Sequence, residues 1–536
     1  MVSDHAVKLC QEIPTVSSEF AKNPTEAPLD IIKRLYGHHK PTTSHEANRV
    51  DRPIASVTDL ERALQCGKWG PQQPSEFFLR IFHDVLHTLD ADPLGVKPEA
   101  YSGKAIQLPK PEEIPNIDFQ VINFHKPLLG TLHAKFMVVD RKIGIIESNN
   151  TEDNDNVEMM THLEGPIVDS LYDTALITWG NALNPSLPSS SAPATEGGLG
   201  KPYEGKEGLF MDREPAREQH QIVMDGQAAQ LPEHMPGDPH YDNDLAGEIT
   251  RMQSAYSPKP NESRLQAINR QLNLACPKPF PATGPELPDG DEFTPYIPIS
   301  TPSPFPIALV SRPPFGSPNN SNVFVPQNEA WLSCIRNAKQ SIFIQTPDLN
   351  ATPLHDACIA ALKRGVEITY YVCLGYNDAG EIMPGQGGTN EMFASNLVNA
   401  LTPPERKLLH VAYYVGKDQD HPIHHNFKAR SCHIKLLIAD GHIGIQGSGN
   451  QDTQSWYHSQ EINILIDSEE VCRKWREGIE RNQNTARFGR AGEDDGVWRD
   501  AQGNEAEGSM GRPGKVEGWF KGAAGMMKKM QDKGGF

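Results

Sequence analysis

The strongest constraint on the fold is a stretch that the chain contains twice. HAKFMVVDRKIGIIESNN (133–150) aligns without gaps with HIKLLIADGHIGIQGSGN (433–450), offset by 300 residues, with identities at eight of eighteen positions. The identities are a histidine, a lysine, an aspartate, Ile-Gly-Ile, a serine and an asparagine, and the remaining pairs are mostly apolar for apolar. Two copies with their polar residues in register imply a duplicated unit. The fold must therefore accommodate two equivalent halves.

The spacing within each copy has a physical reading. In a strand, residues two apart share a face, so His433 and Lys435 project together while Ile434 and Leu436 face the other way. Asp440 falls at the strand end, before a turn at Gly441 and a returning strand that ends in Gly447–Asn450. The backbone N–H groups and asparagine of that turn could face an anion. The same layout holds for His133, Lys135, Asp140, Ser148 and Asn150. We expect Ser148, Asn150, Ser448 and Asn450 to contact a phosphate, and Glu158 and Glu461, each opening the next strand, to orient the imidazoles.

Two copies related by a pseudo-two-fold would bring two histidines and two lysines to one cleft. Such a cleft suits attack on a phosphodiester: a neutral imidazole attacks phosphorus, and a protonated one gives its proton to the leaving oxygen. Lysines and asparagines would offset charge on the non-bridging oxygens. The residues leave open which histidine plays which part.

The rest of the chain bounds this reading. A length of 536 residues is too great for one core, and 44 glycines and 45 prolines indicate globular parts separated by irregular segments. A net charge of −19 argues against holding nucleic acid by bulk electrostatics. The eight cysteines form no CxxC pair, which suits a reduced compartment with buried thiols. No apolar run is long enough to span a bilayer and the N-terminus lacks a secretory pattern, so we expect a soluble, intracellular protein, cytoplasmic or peripheral on a membrane.

The pattern predicts a helical N-terminal region (1–118), including a helix over SEFFLRIFHDVLHTLD (75–90), and a first motif half (119–182). A Pro/Ser/Gly-rich linker (183–325) with a helix around LAGEITRMQSAY and SRLQAINRQLNL follows, then a second half (326–490) and a flexible tail (491–536). Helices alternating with β-branched strands in the second half indicate an α/β layer fold.

The duplicated HxKxxxxD signature, with SIFIQTPDLN, GYNDAGE, GGTNE and HLEGPIVDS, resembles the phospholipase D superfamily over about 119–182 and 326–485. It is similar to fungal phospholipase D-like and cardiolipin synthase-like members. The resemblance implies two α/β/α sandwich halves, and a metal-independent phosphodiesterase or phosphatidyltransferase with a phosphatidyl-histidine intermediate. It further implies His133 as nucleophile, His433 as acid and a phospholipid substrate at a membrane surface, without cofactor. Lys135, Asp140, Lys435 and Asp440 complete the implied catalytic set.

Competing readings attach to several residues. His421, His424 and His425 lack acidic or thiol partners at ligand spacing, so we expect a solvated loop rather than a metal site. HMPGDPHYDND (234–244) falls in the linker. The C-terminal EGWFKGAAGMMKKMQ reads as a frayed tail, though it could touch lipid. The first motif departs from the second at Arg141-Lys142 and at Glu147, where the second has Gly447. Only one strand is expected ahead of the first motif, whereas the second is preceded by helix–strand–helix–strand. We therefore hypothesise a missing block near Gly95–Val96, through deletion or a misread gene. A transcript that reads straight across Leu94–Pro98 and yields a cooperatively folding protein would refute it. A nuclease of the same fold and a catalytically dead lipid-binding scaffold are the alternatives.

Overall fold

In the computed structural model, the described residues comprise the strand segments 78–83 and 94–95, residues 97–179 with short gaps, and 254–509 with short gaps. The architecture is mixed α/β.

Ahead of the first motif lie β1 (Phe78–His83), β2 (Leu94–Gly95) and β3 (Asp118–Asn123), in a sheet of order β1-β3-β2 with β1 and β3 parallel. This corrects two expectations: Phe78–His83 is a strand, not part of a helix, and more than one strand precedes His133. The sequence FFLRIF is mostly bulky and apolar, a composition that suits a strand as well as a helix face. After the short pair β4 (His125–Lys126) and β5 (Gly130–Thr131), the first motif forms an antiparallel sheet. Its strands are β6 (Phe136–Val139), β7 (Ile143–Glu147) and β8 (Met160–Glu164), covered by α1 (Ile167–Trp179).

The segment expected as linker contributes two elements to the body. Helix α2 (Arg264–Leu272) begins at Ser263, whose hydroxyl accepts from Gln266 N while Gln266 reaches back to the Ser263 amide. Strand β9 (Ile307–Arg312) joins the main sheet. Its proline-rich flanks hid it in the sequence, yet prolines are tolerated beside an edge strand. The second half then builds α3 (Pro326–Asn337), β10 (Ser341–Gln345), α4 (Thr352–Lys363), β11 (Glu367–Val372), α5 (Asn390–Asn399) and β12 (Leu409–Tyr413). The second motif follows as β13 (Leu436–Ala439), β14 (Ile443–Gly447) and β15 (Glu461–Asp467), and α6 (Glu469–Arg481) closes the unit.

The seven strands run in the order β12-β11-β10-β13-β14-β15-β9. Strands β10, β11 and β12 are parallel and the others antiparallel. The central strands are buried on both faces, which explains their near-continuous Ile, Leu and Tyr content. Residues 491–509, expected as flexible tail, instead pack on this unit, with Val497 and Trp498 buried and the Tyr413 hydroxyl donating to Gly496 O.

The two motif glycines have the same job. A Cβ on Gly144 would lie 2.5 Å from Leu171 Cδ1 of α1, and one on Gly444 would lie 2.8 Å from Trp475 of α6. Each lets its helix sit close on its strand. The edges differ: β13 is paired by β10, whereas among the described residues no strand pairs the outer edge of β6, where Met137 is exposed.

Among the described cysteines, five are buried and Cys276 is half-buried, all as free thiols. No helix of the described residues is long and apolar enough to cross a membrane.

Candidate active site

The chain segments leading into the two motifs cross over. His133 N donates to Gln460 O at 3.0 Å, and His433 N donates to Val157 O at 2.9 Å. Gln460 N donates in turn to Thr131 O, and Val157 N to Ser431 O. The residue just before each glutamate is thus stitched by backbone bonds to the strand entering the other motif.

This stitching brings the side chains together crosswise. His133 Nδ1 lies 2.8 Å from Glu461 Oε1, and His433 Nδ1 lies 3.0 Å from Glu158 Oε1. Glu158 and Glu461 are the expected orienting carboxylates, but each serves the histidine of the other copy. The lysines behave alike: Lys135 Nζ donates to His133 O at 2.7 Å and Lys435 Nζ to His433 O at 2.6 Å. Each lysine therefore braces the backbone of its own histidine.

The serines take a different part from the one expected. Ser148 and Ser448 are fully buried, and their hydroxyls donate to Glu158 Oε2 at 2.5 Å and Glu461 Oε2 at 2.6 Å. Ser455 Oγ also donates to Glu461 Oε1 at 2.7 Å. With its proton spent on a carboxylate and its oxygen accepting from Met159 N or Ile462 N, neither motif serine is turned toward a phosphate. They hold the glutamates. Asn450 is buried with Nδ2 on Asp452 Oδ2 at 3.1 Å, and Asn150 is half-buried.

Asp440 is not brought to the histidines. It lies beyond the far end of β13, seven residues from His433, a span of about 23 Å in extended chain. There it adopts a left-handed φ of 50°, and its carboxylate accepts from the backbone N–H groups of Lys339, Gln340 and Ser341. It ties the turn after β13 to the start of β10. Asp140, Arg141 and Lys142 lie outside the described residues.

Electrostatics follow from burial. Desolvation, helped by Lys435, pushes the His433 imidazole down to about 3 despite the opposing pull of Glu158. His133 is lowered by the same cause. Hydrogen bonds and charge from His433, with Lys435 and Ser148, hold the Glu158 carboxylate below its usual range against desolvation, and His133 does the same for Glu461. The resting pairs are thus carboxylate and neutral imidazole. Nδ1 carries the proton donated to the glutamate, which leaves Nε2 as the basic nitrogen. Burial also brings Lys435 down to about 7. Glu147, where the first motif departs from the second, is raised by desolvation and then by Glu158, with Lys135 opposing.

A pH dependence of stability follows. His433 has a folded value below its unfolded one, so between pH 6.5 and about 3 the unfolded chain takes up a proton that the folded chain refuses. That stability is present above the unfolded value and lost on acidification. Lowering the pH from 7 to 5 should cost about 2 kcal/mol through this one group. Urea unfolding at both pH values should show a smaller loss in His433→Asn; an equal loss would contradict the burial argument.

Among the described residues, His421, His424 and His425 have separate partners. His421 pairs with Asp420 at the surface, and His425 Nδ1 lies 2.8 Å from Ser431 Oγ. His424 is buried rather than solvated, accepting from Asn426 N while its Nε2 lies 3.5 Å from Asp378. Residues 234–244 and 517–531 lie outside the described residues.

Two features were not among the expected site residues, although SIFIQTPDLN and GYNDAGE contain Asp348, Tyr376 and Glu381. Tyr376 stacks near His433 with ring centroids 6.2 Å apart and also leans on His425. Three carboxylates, Asp348, Glu381 and Asp452, converge beside the site from segments far apart in the chain.

Residues 331–482 match the family model described as cardiolipin synthase, PLD-like domain. The match covers the second motif half and does not reach the first. Among solved structures, the chain is similar to the phospholipase D family member Nuc from Salmonella typhimurium, at 18% identity and a TM-score of 0.23, covering 34% of this chain and 96% of that one. A second is the phosphatidylserine synthase of Haemophilus influenzae Rd KW20, at 13% identity and a TM-score of 0.35, covering 75% of this chain and 69% of that one. NucT from Helicobacter pylori is matched at 14% identity and a TM-score of 0.24, over 33% of this chain and 98% of that one. No curated protein matches the sequence.

Proposed function

We propose that the chain is a phosphodiesterase or phosphatidyltransferase that acts on phospholipids through a phospho-histidine intermediate, with the two motif copies forming one site. The observation that carries this reading is the crosswise pairing of His133 with Glu461 and His433 with Glu158. Two neutral imidazoles, each oriented through Nδ1, present two basic Nε2 atoms. One Nε2 forms a bond to phosphorus while the P–O bond to the head group breaks. The departing oxygen takes a proton from the other imidazole, protonated when the anionic substrate enters. Water or an alcohol then attacks the phospho-histidine, giving its proton back to that second imidazole. The family match over 331–482 supports the same class. By the family resemblance His133 is the nucleophile and His433 the acid, and the substrate is met at a membrane surface. In this reading Lys135 and Lys435 carry positive charge beside the phosphate, and Asp440 has a structural role. No stable nucleic acid is expected as a partner.

A second reading, a lipid-binding scaffold without turnover, is favoured by the open outer edge of β6 among the described residues. Incubation with short-chain phosphatidylcholine and phosphatidylglycerol, with and without added ethanol, separates the two. Head-group release, and phosphatidylethanol when alcohol is present, is the expected result, abolished in His433→Ala. Liposome binding without turnover would favour the scaffold, and cleavage of oligonucleotides alone would favour a nuclease.

A further inference from the structure

Asp348, Glu381 and Asp452 come from the loop after β10, the turn after β11 and the segment after the second motif. Their carboxylate oxygens lie within 4.8 Å of one another, and all three residues are buried. None forms an ion pair among the described residues. Their hydrogen-bond partners are neutral: Asn350 and Asn377 amides on Glu381, Asn450 Nδ2 and Ser455 N on Asp452, and Asn390 Nδ2 at 3.4 Å on Asp348. Three buried carboxylates this close repel strongly unless protons or a cation intervene.

A second observation selects between those two. Asn350 is 2% exposed, and its Nδ2 touches Glu381 Oε2 at 2.5 Å, so its amide abuts the cluster. Its carbonyl Oδ1 has no hydrogen-bond partner, and neither has Asp348 Oδ2. An unprotonatable amide oxygen left without a donor in the interior is costly, and a bound cation would satisfy it together with the carboxylate oxygens, Asp348 Oδ2 among them. Gly387, at φ +88°, closes the wall: a Cβ there would lie 2.4 Å from Asn350 O and 3.2 Å from Asn350 Cγ. The lining is thus oxygen-rich and compact, with neither thiol nor imidazole among the four residues.

We infer that Asp348, Asn350, Glu381 and Asp452 hold a hard divalent cation of the Ca²⁺, Mg²⁺ or Mn²⁺ class. The cluster lies beside the histidines, but binding of an ion there does not depend on the proposed reaction. The cluster adjoins them through Asp452, two residues beyond Asn450. The ion would clamp three segments that carry the second half of the pocket.

The test uses the full chain, stripped with a chelator and passed into metal-free buffer containing 0.15 M NaCl. CaCl₂, MgCl₂ and MnCl₂ are titrated separately by calorimetry, with thermal unfolding in parallel. We expect one ion per chain for at least one metal, with a rise of several degrees in Tm. Glu381→Gln and Asp348→Asn should each weaken binding at least tenfold and abolish the rise, while their far-ultraviolet circular dichroism matches the wild type. No uptake and no change in Tm for any of the three metals would overturn the site, whatever the variants do. Undiminished uptake in two folded variants would assign the binding to surface carboxylates and overturn it equally.

Discussion

Replacing either motif histidine with alanine is expected to lower phosphodiester turnover at least ~10³-fold, since each variant loses a nucleophile or a general acid–base. Both variants should remain folded, because His133 and His433 contribute to the body mainly through backbone bonds that alanine retains. The two should separate on a substrate whose leaving group needs no proton. On bis(p-nitrophenyl) phosphate, loss of the acid is largely forgiven and loss of the nucleophile is not. By the family resemblance His433→Ala should regain activity there and His133→Ala should not. The crosswise bonds add a sharper expectation. Glu461→Gln should resemble a weakened His133 variant, and Glu158→Gln a weakened His433 variant, each by about 10- to 100-fold, as for lost orienting carboxylates. If Glu461→Gln instead tracked His433, the pairing would be wrong. Wild-type turnover in both histidine variants would remove the phosphodiesterase reading altogether.

What the sequence made legible was periodic and local. The repeat, the α/β alternation of 326–481 and the lysine two residues after each histidine are all visible in a one-dimensional pattern. What escaped was decided between segments. The strand period places His433 and Lys435 on one face, but no period says that Glu158, 275 residues away, will orient that ring. The serines misled for the same reason. A Gly-Ser-Gly-Asn turn looks like an anion cradle until a buried glutamate is found to occupy Ser448. Asp440 closes its motif in the sequence, yet extended geometry carries it away from the histidine to a backbone clamp. β9 was obscured by prolines that flank it without interrupting it. Asp348, Glu381 and Asp452 are each ordinary acidic residues until the turns after three strands bring them together.

The largest stability effect should come from the segment that composition marked as linker. Arg430 and Asp418 are fully buried, and Arg430 Nε and Nη2 both donate to the Asp418 carboxylate, the latter at 2.7 Å. The remaining guanidinium hydrogens reach Leu272 O at 3.0 Å and Asn273 Oδ1 at 2.9 Å, at the end of α2. Asn269 of that helix donates to Asp418 Oδ2 at 2.7 Å, and Thr283 and Gly284 N–H groups cap Asp418 O. The ion pair is thus the peg on which α2 hangs. Removing only one charge leaves the other buried and unpaired, a change that costs about 3–5 kcal/mol. Asp418→Ala should lower the urea midpoint accordingly and expose the α2 segment to limited proteolysis before the body unfolds. The double variant Asp418→Leu, Arg430→Met should recover much of the loss, because replacing a whole buried pair with apolar groups is often near neutral. The consequence reaches the site. Arg430 has a left-handed φ of 52° and stands three residues before His433, and Ser431 O accepts the Val157 amide that fixes Glu158. Turnover in folded Asp418→Ala should therefore fall with His433 positioning. A loss under about 1 kcal/mol in Asp418→Ala, in the range of an exposed pair, would show that the segment is the spacer its composition suggests.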